Sequence, residues 1–388
     1  MAGRRRGNGE AAMTITPFRQ FVLKVHSRCN LACDYCYVYQ MNDQSWRQQP
    51  HCMSLTTMHQ VVERIAEHAE THRLLSLSLI LHGGEPLLAG TGFITVLIQR
   101  LRETVPAQVN VSMQTNGTLL TEECLEVLAG LDVKIGVSLD GDAGASDRHR
   151  RFASGEGSHR HVERALRLLS EERFRGTFAG LLCTIDLNSP PLPTYEALLE
   201  HAPPAVDFLL PHGTWLQPPP GRGRGASGTP YADWLLAIFD RWYDEAETWV
   251  RMFGEITQAV LGGTPAVEGL GLRPSTVVVV ETDGSIKQLD SLAAAHAGAA
   301  DLDLQVSTNA FDAALSHPLT RLRQGGVDSL PTVCRECAVL RVCGGGLFTH
   351  RYDHEGGFLN PSVYCPDLLH LITSISSRVS ADLGRTVQ

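Results

Sequence analysis

The sequence predicts an α/β protein built on a partial, six-unit parallel β/α barrel, followed by a C-terminal cysteine-rich domain. Three observations predict it. Between Phe21 and Leu210, strand-like runs alternate six times with helix-periodic ones. Short Gly-containing or polar turns follow several of those strands directly. From about Ser275 the chain becomes compact and rich in cysteine. Regular strand–helix alternation implies right-handed parallel units. Six of them suit an incomplete barrel better than a closed one of eight.

The elements follow in order. Phe21–Val25 reads as the first strand. Residues 57–74 have helical spacing, with Val61, Val62, Ile65 and Ala69 on one face. Strands at 77–81, 109–113, 134–137, 178–185 and 206–210 alternate with helices at 93–101, 122–128, 162–169 and 195–201. Pro218–Pro230 is rich in Pro, Gly and Arg and reads as a loop. Residues 231–250 read as one amphipathic helix, with Trp234, Leu235, Ile238, Phe239 and Trp242 on or near its apolar face. The expected organisation is a disordered tail over 1–17, the barrel over 18–230, a helical bridge over 231–274 and the cysteine-rich domain over 275–388.

Composition narrows the function classes. Of 388 residues 43% are apolar and 19% charged, the profile of a soluble globular protein. A net charge of −9 argues against a general nucleic-acid binder, which would show a basic face. No apolar run approaches the roughly 20 residues that span a bilayer. The basic stretch Met1–Met13 is followed by no apolar segment of the kind a secretion signal carries, so a cytoplasmic protein is expected. In that setting ten cysteines point to metal ligands or nucleophiles before disulfides. Cys124 and Cys183 lie in apolar runs and read as buried small hydrophobes, while Cys52 has no clear reading.

Cys29, Cys33 and Cys36 form a Cys-x3-Cys-x2-Cys loop straight after the first strand. Three thiolates within eight residues can converge on one metal centre, with a fourth position open. A zinc knuckle completed by His26 or His51 is the alternative. His82-Gly83-Gly84-Glu85-Pro86 follows the second strand. Its glycines allow a ligand close to the backbone, and its carboxylate suits an ammonium group. Gln114-Thr-Asn-Gly117 follows the third strand; Ser138-Leu-Asp140-Gly141 follows the fourth, with Arg150 soon after. All these motifs sit where a strand ends, the rim at which β/α barrels bind ligands.

The cysteine loop, including Tyr35 before its third cysteine, resembles the signature of the radical S-adenosylmethionine (SAM) enzymes. The resemblance implies a TIM-like radical SAM barrel. Its three cysteines would hold a [4Fe-4S] cluster whose open iron is chelated by SAM, and cleavage of SAM would give a 5′-deoxyadenosyl radical that removes hydrogen from a substrate. Gly83, Gly84, Glu85 and Pro86 look like the motif that holds the SAM amino group. Ser138 and Asp140 match a run whose serine serves the ribose. Arg150 would meet the carboxylate, Gln114 lies on the same rim, and Leu182 would touch the adenine.

Cys334, Cys337 and Cys343, with Cys365 further on, form a second set. Four cysteines also suit zinc. The set resembles the SPASM domain of radical SAM peptide maturases, which in full form has seven cysteines and two auxiliary clusters. Here Leu289 and Leu347 stand at two expected cysteine positions, and no cysteine lies between Cys183 and Cys334. The resemblance thus implies one auxiliary [4Fe-4S] cluster, with packing where the other would be. Asp290, next to the missing cysteine, would be the proton acceptor.

Cys29–Tyr39, His82–Pro86, Cys343–Tyr352 and Asn360–Cys365 look like the FxsB-type maturases. That group joins an aromatic ring carbon to a β-carbon in a ribosomally made precursor peptide, giving a three-residue cyclophane. Thioether crosslinking and oxidation of Ser or Cys to formylglycine are alternatives within the SPASM enzymes. A zinc-binding, peptide-binding scaffold is the alternative without turnover. The implied partners are a precursor peptide and a reductant such as flavodoxin or ferredoxin, with no nucleic acid and no membrane. The leader peptide is expected on the Trp-rich helix or on a sheet edge of the small domain.

Overall fold

The computed structural model describes residues 15–386, so most of the predicted tail lies outside the described residues. Ten strands form one sheet: β1 (Gln20–His26), β2 (Ser76–Gly83), β3 (Gln108–Thr115), β4 (Val133–Ser138), β5 (Phe178–Thr184), β6 (Ala205–Leu209), β7 (Trp249–Val250), β8 (Val277–Val280), β9 (Ser285–Lys287) and β10 (Asp301–Gln305). The order across the sheet is β10-β9-β8-β1-β2-β3-β4-β5-β6-β7. β1 to β6 pair in parallel with their sequence neighbours, as the alternation predicts. Apolar side chains of this sheet pack beneath the Leu55–Thr71, Thr91–Thr104, Glu122–Gly130 and His159–Ser170 helices; Leu23, Leu79, Ile135, Ile65 and Leu166 are fully buried.

Caps and backbone handedness set the boundaries that periodicity alone misses. Ser54 Oγ accepts from Thr57 N at 3.0 Å, so the first long helix begins at Leu55, earlier than its apolar stripe. The helix stops before Arg73, which is left-handed at φ 51°. The predicted helix over 231–250 is shorter than expected, Pro230–Glu245. Ala246 turns left-handed at φ 48° and ends it, and Trp249–Val250 becomes β7, paired with β6. Its tryptophans face inward: Trp234 and Trp242 are 6% and 9% exposed and donate to the Ser189 and Thr248 carbonyls. The two tryptophans themselves thus offer no free surface.

The cysteine-rich region is not separated from the barrel by a gap in the sheet. β8 pairs in parallel with β1, Gln20 opposite Val277, and β9 and β10 continue antiparallel to the edge. Leu289 packs with Leu292, Ala295, Ala299, Ala300 and Phe348 in a small apolar cluster, so side-chain packing occupies one of the two missing cysteine positions. Cys124 and Cys183 are buried as predicted, and Cys52 is exposed. Among the described residues no helix is long and apolar enough to cross a membrane.

Candidate active site

The rim motifs converge on one cavity of about 430 Å³ between the strand ends of the barrel and the C-terminal segment. Cys29, Cys33, Tyr35, Cys36, Gly83, Gly84, Gln114, Ser138, Arg150 and Leu182 line it from the barrel. Leu270, Leu347, His350 and Leu368 close the far side.

The cysteine loop is stitched to neighbouring strand ends. Ala32 N donates to Arg151 O at 2.7 Å. Asn116, just past β3, donates through Nδ2 to Asn30 Oδ1 at 2.8 Å and to Cys29 Sγ at 3.6 Å. Burial pushes the Cys29 thiol up to about 12 and the Cys33 thiol up to about 11, and raises Cys36 as well. Such thiols become thiolates at neutral pH only when a cationic centre displaces the proton from the sulfur. Among the described residues, the one group of three or more His, Cys, Asp or Glu with ligand atoms within 4.8 Å of one another is His68, His72 and Asp312. Four thiolates on one zinc stand about 3.8 Å apart, from bonds of about 2.3 Å. Neither cysteine set brings three ligand atoms within 4.8 Å of one another.

Gly84 explains why the second motif must be glycine. Its N–H donates to His26 O at 2.9 Å, and Glu85 N donates to Arg28 O at 3.0 Å. A β-carbon at 84 would collide with the Arg28 backbone and the Tyr39 hydroxyl. Glu85 sits behind the motif's two glycines. Its carboxylate is fully buried and accepts from Thr115 Oγ1 at 2.7 Å, Asn116 N at 2.8 Å and Leu87 N at 3.1 Å. It is not part of the cavity wall, nor is Pro86. Glu85 positions the loop that carries Asn116, while Gly83 and Gly84 themselves line the cavity.

Asp140 is likewise behind the wall. Its Oδ2 accepts from Tyr35 Oη at 2.5 Å and its Oδ1 from Thr184 N at 2.9 Å. Arg150 Nη1 donates to the same Tyr35 oxygen at 2.8 Å, while Arg150 Nε is buried with no partner. A fully buried guanidinium with a spare N–H beside a cavity fits a carboxylate. Gln114 Nε2 donates to Ser138 Oγ at 2.8 Å, which sets a polar pair next to apolar Leu182. Together these residues fit the amino-acid, ribose and adenine parts of SAM.

Asp290 begins a short helical turn and does not itself line the cavity. Its Oδ1 lies 3.0 Å from Lys24 Nζ, which donates to Glu281 Oε1 at 2.8 Å. Burial alone would lower Lys24, but the two carboxylates raise it and keep it charged. The cavity-facing group is His82, whose Nδ1 is 3.9 Å from Asp290 Oδ2 and makes no hydrogen bond. Burial lowers His82 and takes His212 down to about 4, so both rings are neutral. Tyr37, His212 and His350 complete a row of rings, with centroids 4.7 and 5.5 Å apart. The residue reading missed Lys24, Tyr37, His212 and His350. Only the position of His212, three residues past β6, could have signalled it.

Burial raises the thiols of Cys334, Cys343 and Cys365, Cys343 to about 11, and neighbouring cysteines of the set add to each of these three. Arg351 braces the loop between them, donating to the Gly344, Gly345 and Gly346 carbonyls at 2.8–3.0 Å.

Known proteins resemble this chain along the rim and beyond it. Residues 23–188 match the model of the Radical SAM superfamily. The chain carries a radical SAM domain. The enzyme is 24% identical to a cysteine-type anaerobic sulfatase-maturating enzyme of Clostridium perfringens, over 90% of this chain and 94% of that one. It is also 24% identical to a serine-type anaerobic sulfatase-maturating enzyme of Bacteroides thetaiotaomicron, over 88% and 86%. The solved structure described as native anSMEcpe with bound AdoMet and Cp18Cys peptide superposes with TM-score 0.78 at 22% identity, covering 95% of this chain and 99% of that one. The radical SAM enzyme therefore has the partial barrel and C-terminal extension of that fold. Its cofactors are SAM and [4Fe-4S] clusters, and the trio and quartet of cysteines fit one cluster each.

Proposed function

We propose that this radical SAM enzyme is a peptide maturase that removes a hydrogen atom from a side-chain β-carbon and leaves that side chain oxidised by two electrons. The observation that carries this reading is the cavity, in which the cysteine trio, the SAM-fitting residues and the cysteine-rich segment face one space. Held by the trio and the rim residues, SAM and its cluster would supply the hydrogen-abstracting radical, and a cluster on the cysteine quartet would supply an electron acceptor. The chain's own residues do the rest. Arg150, Gly83 and Gly84 orient the cofactor, and the apolar wall of Leu182, Leu270, Leu347 and Leu368 excludes water. His82 takes the proton that leaves with the second electron, and Asp290 behind it stabilises the imidazolium.

The sulfatase-maturating relatives favour oxidation of a Ser or Cys to formylglycine over crosslinking. For serine, loss of the β-hydrogen, then of one electron and the hydroxyl proton, gives the aldehyde; for cysteine the same losses give a thioaldehyde, which water converts to the aldehyde with release of hydrogen sulfide. Cyclophane formation stays as a second reading, because Tyr37, Phe208, Met252 and His212 give the cavity a wall that suits an aromatic ring. It uses the same first step, and loss of one electron and one ring proton restores aromaticity. The reductant is a low-potential carrier such as flavodoxin or ferredoxin.

The test gives the reconstituted enzyme SAM, dithionite and either the Cp18Cys peptide, its serine counterpart or a peptide with an aromatic residue two places before the target. Formation of 5′-deoxyadenosine with an aldehyde captured by an aminooxy reagent is the expected result. A ring-to-β-carbon bond located by NMR selects the second reading. No 5′-deoxyadenosine with any peptide overturns both.

A further inference from the structure

Away from the cavity, His68, His72 and Asp312 bring three donor atoms together. His68 lies in the Leu55–Thr71 helix and His72 is its C-cap residue, four places on, which puts both rings on one face. Their centroids are 4.4 Å apart. Asp312 comes from the first turn of the Phe311–Ser316 helix, which follows β10. His68 Nδ1 is 2.9 Å and His72 Nε2 is 2.8 Å from the same Asp312 Oδ1.

The proton inventory at His68 does not close. Its side chain is 1% exposed, among Phe18, Phe21 and Phe311. Nδ1 faces the Asp312 carboxylate, and Nε2 faces the Phe18 carbonyl oxygen at 3.2 Å. Both oxygens only accept, and a neutral imidazole has one N–H. One ring nitrogen therefore points a lone pair at an oxygen, unless a further cation stands between them. If Nε2–H donates to Phe18, the freed lone pair is the one aimed at Asp312 and His72. Ring donation to a backbone carbonyl is also how a metal-bound histidine is held in its tautomer.

We propose that His68 Nδ1, His72 Nε2 and the Asp312 carboxylate bind a divalent transition ion such as zinc, with water completing the shell. The two N···O edges are shorter than the about 3.3 Å expected around a zinc ion with bonds of about 2.0–2.1 Å. Asp312, 45% exposed, has room to swing outward and open them. The site is a clasp, not a reaction centre. It joins a barrel helix to the segment after β10.

The experiment uses anaerobically reconstituted enzyme, so that the cluster cysteines are occupied, stripped of loose metal by a mild chelator and titrated with zinc. Zinc content, the zinc K-edge absorption spectrum and the anaerobic melting temperature are read together. One zinc per chain with only nitrogen and oxygen neighbours is expected, and a rise of about 3 °C at a hundredfold excess over Kd. His72→Ala and Asp312→Asn, both at partly exposed positions, should lose the zinc and the rise while keeping their iron; His72→Gln serves if His72→Ala folds poorly. Sulfur in the zinc shell, zinc retained by both variants, or no zinc above background in wild type would overturn the clasp. The last outcome would mean that a proton alone bridges His68 and Asp312.

Discussion

Cys29, Cys33 and Cys343 are thiols that the fold makes reluctant to ionise, and this gives a pH signature. Their ordinary value is 9.0, and burial takes them to about 12, 11 and 11. Between those limits the unfolded chain has lost protons that the folded apoprotein still binds. Unfolding therefore releases protons, and stability falls as pH rises. The contribution is complete below pH 9 and lost as pH passes through 11 to 12. In the cluster-loaded enzyme these sulfurs are already thiolates, so this component is absent. Urea midpoints measured against pH should fall more steeply from pH 9 to 11 for apoprotein than for loaded enzyme; parallel curves would refute it.

At the scale of elements, Glu85 joins the end of β2 to the turn after β3. Burial raises its carboxyl against the pull of three hydrogen bonds, and no other acceptor replaces it. Glu85→Gln puts an N–H where a donor already points, at a cost of about 1–3 kcal/mol. Because Asn116 links that turn to Asn30 and Cys29, iron content should fall together with melting temperature. A variant with normal iron and stability that loses only SAM affinity would return Glu85 to the ammonium role. Element positions were legible because apolar periodicity of 2 and 3.6 is local. The role of Glu85 was not, because burial of a carboxylate depends on strands that are distant in sequence.

At the scale of the molecule, the seam between β1 and β8 brings Lys24, Glu281 and Asp290 together behind His82. Asp290→Asn should leave SAM cleavage nearly intact but cut product formed per 5′-deoxyadenosine by about 100-fold, the low end of what a general base contributes, because His82 loses the anion that stabilises its imidazolium. Unchanged coupling, read by chromatography of both products, would remove Asp290 from the proton path. The same seam explains why Lys24 escaped notice in the sequence. A lysine inside an apolar strand looks like a solvated edge residue until the carboxylates that pair with it are folded against it.

By itself the sequence determined the strand and helix order, the two cysteine sets and the rim on which the motifs sit, because these depend on spacing within a few residues. Tertiary structure decided which motif residues reach the cavity and which brace it, that the cysteine-rich region extends the barrel's own sheet, and that His68, His72 and Asp312 meet. Those outcomes depend on side chains from remote segments being buried against each other, and burial sets both their partners and their charge.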